Sequence, residues 1–327
     1  MIIKNLEELI HLVKNARKNK YSIGAMSGGY DLLHEGHQLA INKSSNKVDK
    51  LFVLVNSDYS IRKYKGRSRP INKENIRINK LEKFNENNFY FLFDELIPNN
   101  ILEIIKPDIY FVPPSWSNSP IELLVLSNFK TKIEVHPFIQ GVSTTSISNN
   151  KISSGAIFLD RDGTINQDTG YIKDIFEVKI SKENYEGLKK LSNLDIPMFI
   201  VTNQSGVSKN LLTKEEFKIV NNHIISLINE NGGRIDKTYY DFSNNKKPSK
   251  YRKPNIGMVE QAIEDFDISL SNSWMIGDKD TDILLGKKCN MKTILIDNTQ
   301  YEYKSIIKPE FVCKNLLEAS DIIEKHI

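Results

Sequence analysis

Short apolar runs that stop abruptly at polar strings constrain the fold of this 327-residue chain more than any other feature. Residues 22–27, 51–55 and 133–138 in the first half, and 156–159, 199–201 and 274–276 in the second, are such runs. They are too short for helices and mostly continuous rather than alternating, so they read as buried parallel strands. Helical patterns stand between them, as in residues 256–266. Another is the stripe Leu6, Leu9, Ile10, Val13 and Ala16, which reads as core packing ahead of a membrane or partner face. Strands alternating with helices predict two tandem, doubly wound α/β domains with mainly parallel sheets. Open sheets of that kind place binding and chemistry beyond the carboxyl ends of their strands, which is where the polar strings fall.

The run 156–159 feeds Asp160-Arg161-Asp162-Gly163-Thr164. Two carboxylates two residues apart can hold Mg²⁺ while one attacks phosphorus and the other handles a proton. Alone, the string is also compatible with a turn carrying an acidic rim. Further segments follow in order. Thr202-Asn203-Gln204-Ser205-Gly206 ends a second strand in hydroxyl and amide donors suited to phosphate oxygens. Tyr251-Arg252-Lys253-Pro254 offers cations for a transferring phosphoryl group. Gly277-Asp278-Lys279-Asp280-Thr281-Asp282 ends a third strand in carboxylates able to complete a Mg²⁺ site.

Together these segments resemble the haloacid dehalogenase superfamily of phosphatases, across residues 154–327. Within it the wording is similar to the heptose 1,7-bisphosphate 7-phosphatases and their histidinol-phosphatase relatives. The resemblance implies Asp160 as nucleophile and Asp162 as general acid/base. It implies Thr202, Asn203, Arg252 and Lys253 as phosphate or substrate ligands. Asp160, Asp162 and Asp278 form the implied metal set, and Asp282 supports the loop. The stretch 241–250, where the heptose enzymes carry a Cys/His zinc loop, has no Cys or His here. Zinc needs thiolate or imidazole ligands, so Mg²⁺ is expected and zinc is not. The spacing between motifs leaves room for loops and single helices but no folded cap. Selectivity is therefore expected from loops such as 166–174 and 241–251.

The first half carries a second chemistry. Its first run ends in Gly28-Gly29-Tyr30-Asp31-Leu32-Leu33-His34-Glu35-Gly36-His37. The glycines permit close approach of a phosphate, and the helix start beyond them favours anions. Two imidazoles there can steady charge on a pentacoordinate phosphorus, although paired histidines at a helix start also cap or pack. Asn56-Ser57-Asp58, then Lys65-Gly66-Arg67-Ser68-Arg69-Pro70 with Arg77, and then Ser143-Thr144-Thr145 accompany them. Together these residues resemble the cytidylyltransferase-like nucleotidyltransferases over residues 20–150, most of all their heptose-phosphate adenylyltransferase branch. The resemblance implies His34, His37 and Lys65 as catalytic. Gly28, Asn56, Asp58, Arg69, Arg77, Ser143, Thr144 and Thr145 are the implied nucleotide and phosphate ligands. Phe138-Ile139-Gln140 stands where glycerol-phosphate cytidylyltransferases carry an arginine, which favours adenylyl transfer. Pro113-Pro114-Ser115-Trp116 replaces the Gly-Gly-Asp-like stretch of the heptose enzymes, so base or sugar recognition differs.

Residues 148–155 read as a linker, dividing a nucleotidyltransferase domain (1–150) from a phosphatase domain (151–327). The formal charge of +4 is small, and the lysines are spread among asparagines and acids. That argues against a nucleic-acid groove. Polynucleotide 3′-phosphatases share the Asp-Arg-Asp-Gly-Thr wording but pair it with a kinase P-loop, which this chain lacks. A nucleotide sensor without catalysis is the other reading from a different class. Two cysteines and the lack of a long apolar run or signal peptide imply a cytoplasmic protein without a membrane partner. His11, His136, His223 and His326 carry no motif and read as surface or packing residues.

The expected function is bifunctional and Mg²⁺-dependent, using a nucleoside triphosphate (ATP or CTP) and a sugar or polyol phosphate. Heptose 1-phosphate adenylyl transfer with heptose 1,7-bisphosphate dephosphorylation is the leading case. Cytidylylation of a polyol phosphate for a surface polymer is the alternative, and a homo-oligomer stays open.

Overall fold

The structure is a computed structural model that describes residues 1–114, 121–136, 154–297 and 302–327. The chain divides into two compact units, Met1–Ile152 and Ser153–Ile327. Most of the expected linker, and Ser143, Thr144 and Thr145, lie outside the described residues.

The first unit is built on six parallel strands: β1 (Ile2–Ile3), β2 (Ile23–Gly28), β3 (Lys50–Asn56), β4 (Phe89–Phe93), β5 (Ile109–Val112) and β6 (Lys132–Val135). Their order is β1-β4-β3-β2-β5-β6. The chain winds outward from β2 in one direction and resumes at β5 in the other. The topological switch therefore lies between β2 and β5, and a crevice is expected there. Side chains alternate across the sheet. Ala25, Phe52 and Leu54 enter one apolar cluster, while Met26, Val53 and Val55 enter another. Covering both faces explains why these strands read as unbroken apolar runs. The stripe near the amino terminus forms the helix Leu6–Lys18, capped by Asn5, with Leu9, Val13 and Ala16 buried.

The second unit repeats the plan with β7 (Ile157–Leu159), β8 (Met198–Asn203), β9 (Lys237–Asp241), β10 (Trp274–Gly277), β11 (Lys292–Ile296) and β12 (Phe311–Cys313). The order β12-β11-β10-β7-β8-β9 is parallel throughout and puts its switch between β7 and β10. Asp160 and Asp278 directly follow those two strands. Trp274 and Phe158, almost wholly buried, anchor the middle of the sheet. Each contributes about 1.5–3 kcal/mol or somewhat more by burial. Among the described residues no helix is long and apolar enough to cross a membrane.

Candidate active sites

In the second unit the strand ends gather charge that is almost completely withdrawn from water. Asp160, Asp278 and Asp282 are all buried and each offers an oxygen within 4.8 Å of the others. Lys253 reaches into this cluster from the loop before the helix Gly257–Asp265. Its ammonium lies 2.7 Å from Asp160 Oδ1 and 2.6 Å from Asp282 Oδ1, and it donates to the carbonyl of Val201 at 2.8 Å. Burial alone would lower its pKa, but the Asp160 and Asp282 carboxylates raise it above the ordinary lysine value. Burial pushes the Asp160 carboxyl up to about 7; Lys253 opposes the rise, while Asp282 and Asp278 add to it.

Asp160 Oδ1 also accepts the Arg161 amide at 2.7 Å. Among the described residues Oδ2 accepts no hydrogen bond. Gly163 adopts a φ of +92°, and a Cβ there would fall 2.1 Å from Asp278 Oδ2. Only glycine fits that turn and lets the Asp278 carboxylate close in. The Asp282 carboxylate is engaged by Lys253 and by the Lys279 amide, which donates to its Oδ2 at 3.0 Å. Lys279 also pairs with Asp168 at 2.9 Å.

Asp162 stands outside the three-carboxylate cluster. Arg161 grips it with Nε–Oδ1 at 3.0 Å and Nη2–Oδ2 at 2.7 Å, and Gln204 Nε2 donates to Oδ2 at 2.8 Å. The same Gln204 nitrogen lies 2.9 Å from Thr202 Oγ1, linking the acid to the threonine at the end of β8. Asn203 exchanges hydrogen bonds with the Lys253 backbone, which fixes the cation's loop against that strand. The sequence reading did not single out Arg161 or Gln204. Their signal is spatial, because Gln204 lies 42 positions from Asp162.

The loop after β9 is laced around Asp241. Its carboxylate accepts the Ser243 amide at 2.9 Å and the hydroxyls of Ser243 and Ser249. The Ser249 amide donates back to Ser243 Oγ at 2.9 Å, and Tyr251 N donates to Ser249 Oγ at 3.0 Å. Arg252 ties the loop to itself through the Ser243 carbonyl at 2.8 Å and Asn245 Oδ1 at 2.9 Å.

In the first unit the imidazoles of His34 and His37 stack at 3.8 Å between centroids, at the start of the helix Glu35–Ser45 that follows β2. The His34 amide donates to His37 Nδ1 at 3.4 Å. Burial, then His34, Lys65 and His136, push His37 down to about 3, so it is neutral. Burial also lowers His34 and Lys65, with Asp31 partly supporting the Lys65 charge. His136, read from sequence as a packing or surface residue, thus stands close enough to His37 to disfavour its charge.

Asp31 organises the neighbouring loop. It accepts Arg69 Nη1 at 3.0 Å and the amides of Ile71 and Asn72 at 2.8 and 2.9 Å. Arg77 is 1% exposed, with donors spent on the Gly29 and Asn72 carbonyls and on Asp58 at 2.9 Å. Asn56 donates to Ser60 Oγ at 2.9 Å. Arg77, Asp58 and Asn56 therefore brace the glycine turn and strand end. Gly28 lies under the Tyr30 ring, 3.1 Å from where a Cβ would stand.

Residues 25–157 match the cytidylyltransferase-like family model, and residues 250–319 match the HAD-hydrolase-like one. A D-glycero-beta-D-manno-heptose-1,7-bisphosphate 7-phosphatase of Helicobacter pylori is 33% identical over 172 residues, covering 52% of this chain and 97% of the relative. The bifunctional protein HldE of Campylobacter jejuni is 36% identical over 145 residues, which cover 44% of this chain and 30% of that protein. Among solved structures, the D,D-heptose 1,7-bisphosphate phosphatase of B. bronchiseptica, complexed with magnesium and phosphate, superposes with a TM-score of 0.48 and 21% identity. The match covers 53% of this chain and 99% of the other. By its identity to the Helicobacter pylori enzyme and the two family matches, the chain belongs to the D-glycero-D-manno-heptose 1,7-bisphosphate 7-phosphatase family of haloacid dehalogenase-like hydrolases, joined in one polypeptide to a cytidylyltransferase-like domain.

Proposed function

We propose that residues 151–327 dephosphorylate a heptose 1,7-bisphosphate, and that residues 1–150 transfer adenylyl from ATP to a heptose 1-phosphate with release of pyrophosphate. The observation that carries the first half is the bridging of Asp160 and Asp282 by buried Lys253 at the sheet's switch point. Asp160 Oδ2, the oxygen without a hydrogen bond, attacks phosphorus and forms an aspartyl-phosphate. Lys253 neutralises part of the charge on the phosphoryl group, and the Thr202 hydroxyl and Asn203 amide orient its oxygens. Asp162 protonates the leaving oxygen and then takes the proton of the hydrolytic water. Arg252 and the loop 241–251 meet the rest of the sugar.

The buried, all-oxygen donor set of Asp160 and Asp278 suits Mg²⁺, which would screen charge between the phosphoryl oxygens and Asp160. Asp282 is already committed to Lys253 and the Lys279 amide. The loop after β9 presents hydroxyls and one carboxylate, a poor set for zinc.

In the first domain His34 and His37 stabilise charge on the α-phosphorus, and Lys65 meets the phosphate tail. Ser143, Thr144 and Thr145, outside the described residues, are further phosphate ligands on the sequence resemblance alone. Cys289 and Cys313 are buried and form no disulfide, which supports a reducing, cytoplasmic setting. The cytidylyltransferase-like match keeps CTP-dependent cytidylylation of a polyol phosphate as the second reading.

Purified protein assayed with ATP or CTP against heptose 1-phosphate and glycerol phosphate, reading pyrophosphate, separates the two. Phosphate release from heptose 1,7-bisphosphate, lost with a chelator and restored by Mg²⁺, is expected. No turnover of any bisphosphorylated sugar would sink the phosphatase assignment.

A further inference from the structure

We propose that Arg161 and Gln204 are positioning residues that fix the Asp162 carboxyl and reserve its Oδ1 for proton transfer. This rests on the acid/base reading of Asp162. Arg161 is 1% exposed and grips Asp162 through two nitrogens, a fork-to-fork pairing that sets the plane of the carboxyl group. Oδ2 receives two donors, Arg161 Nη2 at 2.7 Å and Gln204 Nε2 at 2.8 Å. Oδ1 receives one, Arg161 Nε at 3.0 Å. Oδ1 therefore keeps the lone pair that can carry a proton.

The guanidinium is also packed against an aromatic cluster. Its Cζ lies 5.4 Å from the centre of the Phe217 ring, which packs in turn on Tyr240 at 4.8 Å and Phe242 at 5.2 Å. Nη1 is buried and finds no acceptor among the described residues. A buried donor left unpaired costs free energy, so the placement of this arginine is dictated by its other nitrogens and its stacked face. Phe242 opens the loop that carries Arg252, so the same aromatic cluster touches both the clamp and the substrate loop.

The chemistry assigns the proton at each step. Asp160 Oδ2 bonds to phosphorus as the bond to the leaving oxygen breaks, and that oxygen takes the proton from Asp162 Oδ1. Water then bonds to phosphorus, its proton passes to Asp162 Oδ1, and the Asp160–phosphorus bond breaks, so both carboxyl groups are restored. A misaligned Asp162 slows the first step most when the leaving oxygen is basic.

Two aryl esters of similar shape test this: phenyl phosphate, with the poor leaving group, and p-nitrophenyl phosphate, with the good one. In single turnover, Arg161→Met is expected to slow phenol release about 30-fold or more and nitrophenolate release less than about threefold. Arg161→Lys, which restores one of the two contacts, should recover part of the phenol rate. Gln204→Leu should show the same selectivity at about fivefold, and it carries the test should Arg161→Met fail to fold in a melting curve. Equal losses on both esters, or none, in the folded variants overturn the positioning role. Asp162→Asn separates the two levels. Selective phenol loss there without any in the Arg161 and Gln204 variants removes the clamp alone. No selectivity in Asp162→Asn removes the acid/base reading and the clamp with it.

Discussion

In the phosphatase-like domain the groups beyond the strand ends are charged and already paired, Lys253 with Asp160 and Asp282, Arg161 with Asp162, and Lys279 with Asp168. Beyond β2 in the first domain stand two stacked imidazoles and a lysine, each pulled towards its neutral form by burial. Both sites occupy the switch point of a parallel sheet, so the contrast is electrostatic and not topological. One site holds its field in compensating ion pairs before substrate arrives. The other holds bases whose charged forms burial disfavours.

The sharpest way to break this comparison is Asp160→Asn. Phosphate release should fall by about 10⁴-fold or more, because an amide cannot form the aspartyl-phosphate. Pyrophosphate release should stay within about threefold if the two chemistries are independent. Loss of both in a folded protein would show that they are not.

Lys253→Met tests whether the second site stores charge as described. It strands two buried carboxylates, and unfolding of that domain should be easier by about 3–5 kcal/mol. Denaturant melts of wild type and variant measure it, and an unchanged midpoint would mean that the bridge is not holding the fold.

On the other side of the comparison, His34→Ala and His37→Ala should each lower kcat for pyrophosphate release about 10²-fold, roughly 3 kcal/mol. A rise in KM with kcat held would assign them to ground-state binding instead. A fall in melting temperature with kinetics intact would assign them to packing.

The smallest effect is in pH. His37 titrates near 3 when folded against 6.5 as the free side chain. Between those values the unfolded chain binds a proton that the folded one refuses, so this group's stability contribution is full above about pH 6.5 and shrinks as pH falls. His37→Asn should flatten that slope in the first domain's melting temperature between pH 7 and 5.

The strands and the acidic strings at their ends were legible because each is local: an apolar run, a stop, and a motif of a few residues. Asp160, Lys253 and Asp278 could be named for the same reason. Pairings could not. Nothing near Asp162 in sequence announces Gln204, and the string Asp160-Arg161-Asp162 does not say that its arginine folds back on the second acid rather than facing substrate. Asn56, Asp58 and Arg77 sit in a stretch that resembles a nucleotide site, yet buried Arg77 pairs with half-buried Asp58 and Asn56 turns to Ser60. A cation that binds phosphate and a cation that braces a loop have the same letter in a sequence. His136 lies 99 positions from His37, and only folding brings it near.

The loop after β9 has a consequence for how this enzyme can change over generations. A loop tied to a metal is lost when one ligand is lost, because the remaining ligands hold the ion far more weakly. Around Asp241 the work is shared by Ser243, Ser249, Tyr251 N and Arg252 through separate hydrogen bonds, each worth about 0.5–1.5 kcal/mol. Single exchanges at the serines loosen the loop by degrees instead of collapsing it. That segment can therefore explore new shapes in small steps while Asp160 and Lys253 stay where they are, so its form is a trait that drifts rather than jumps.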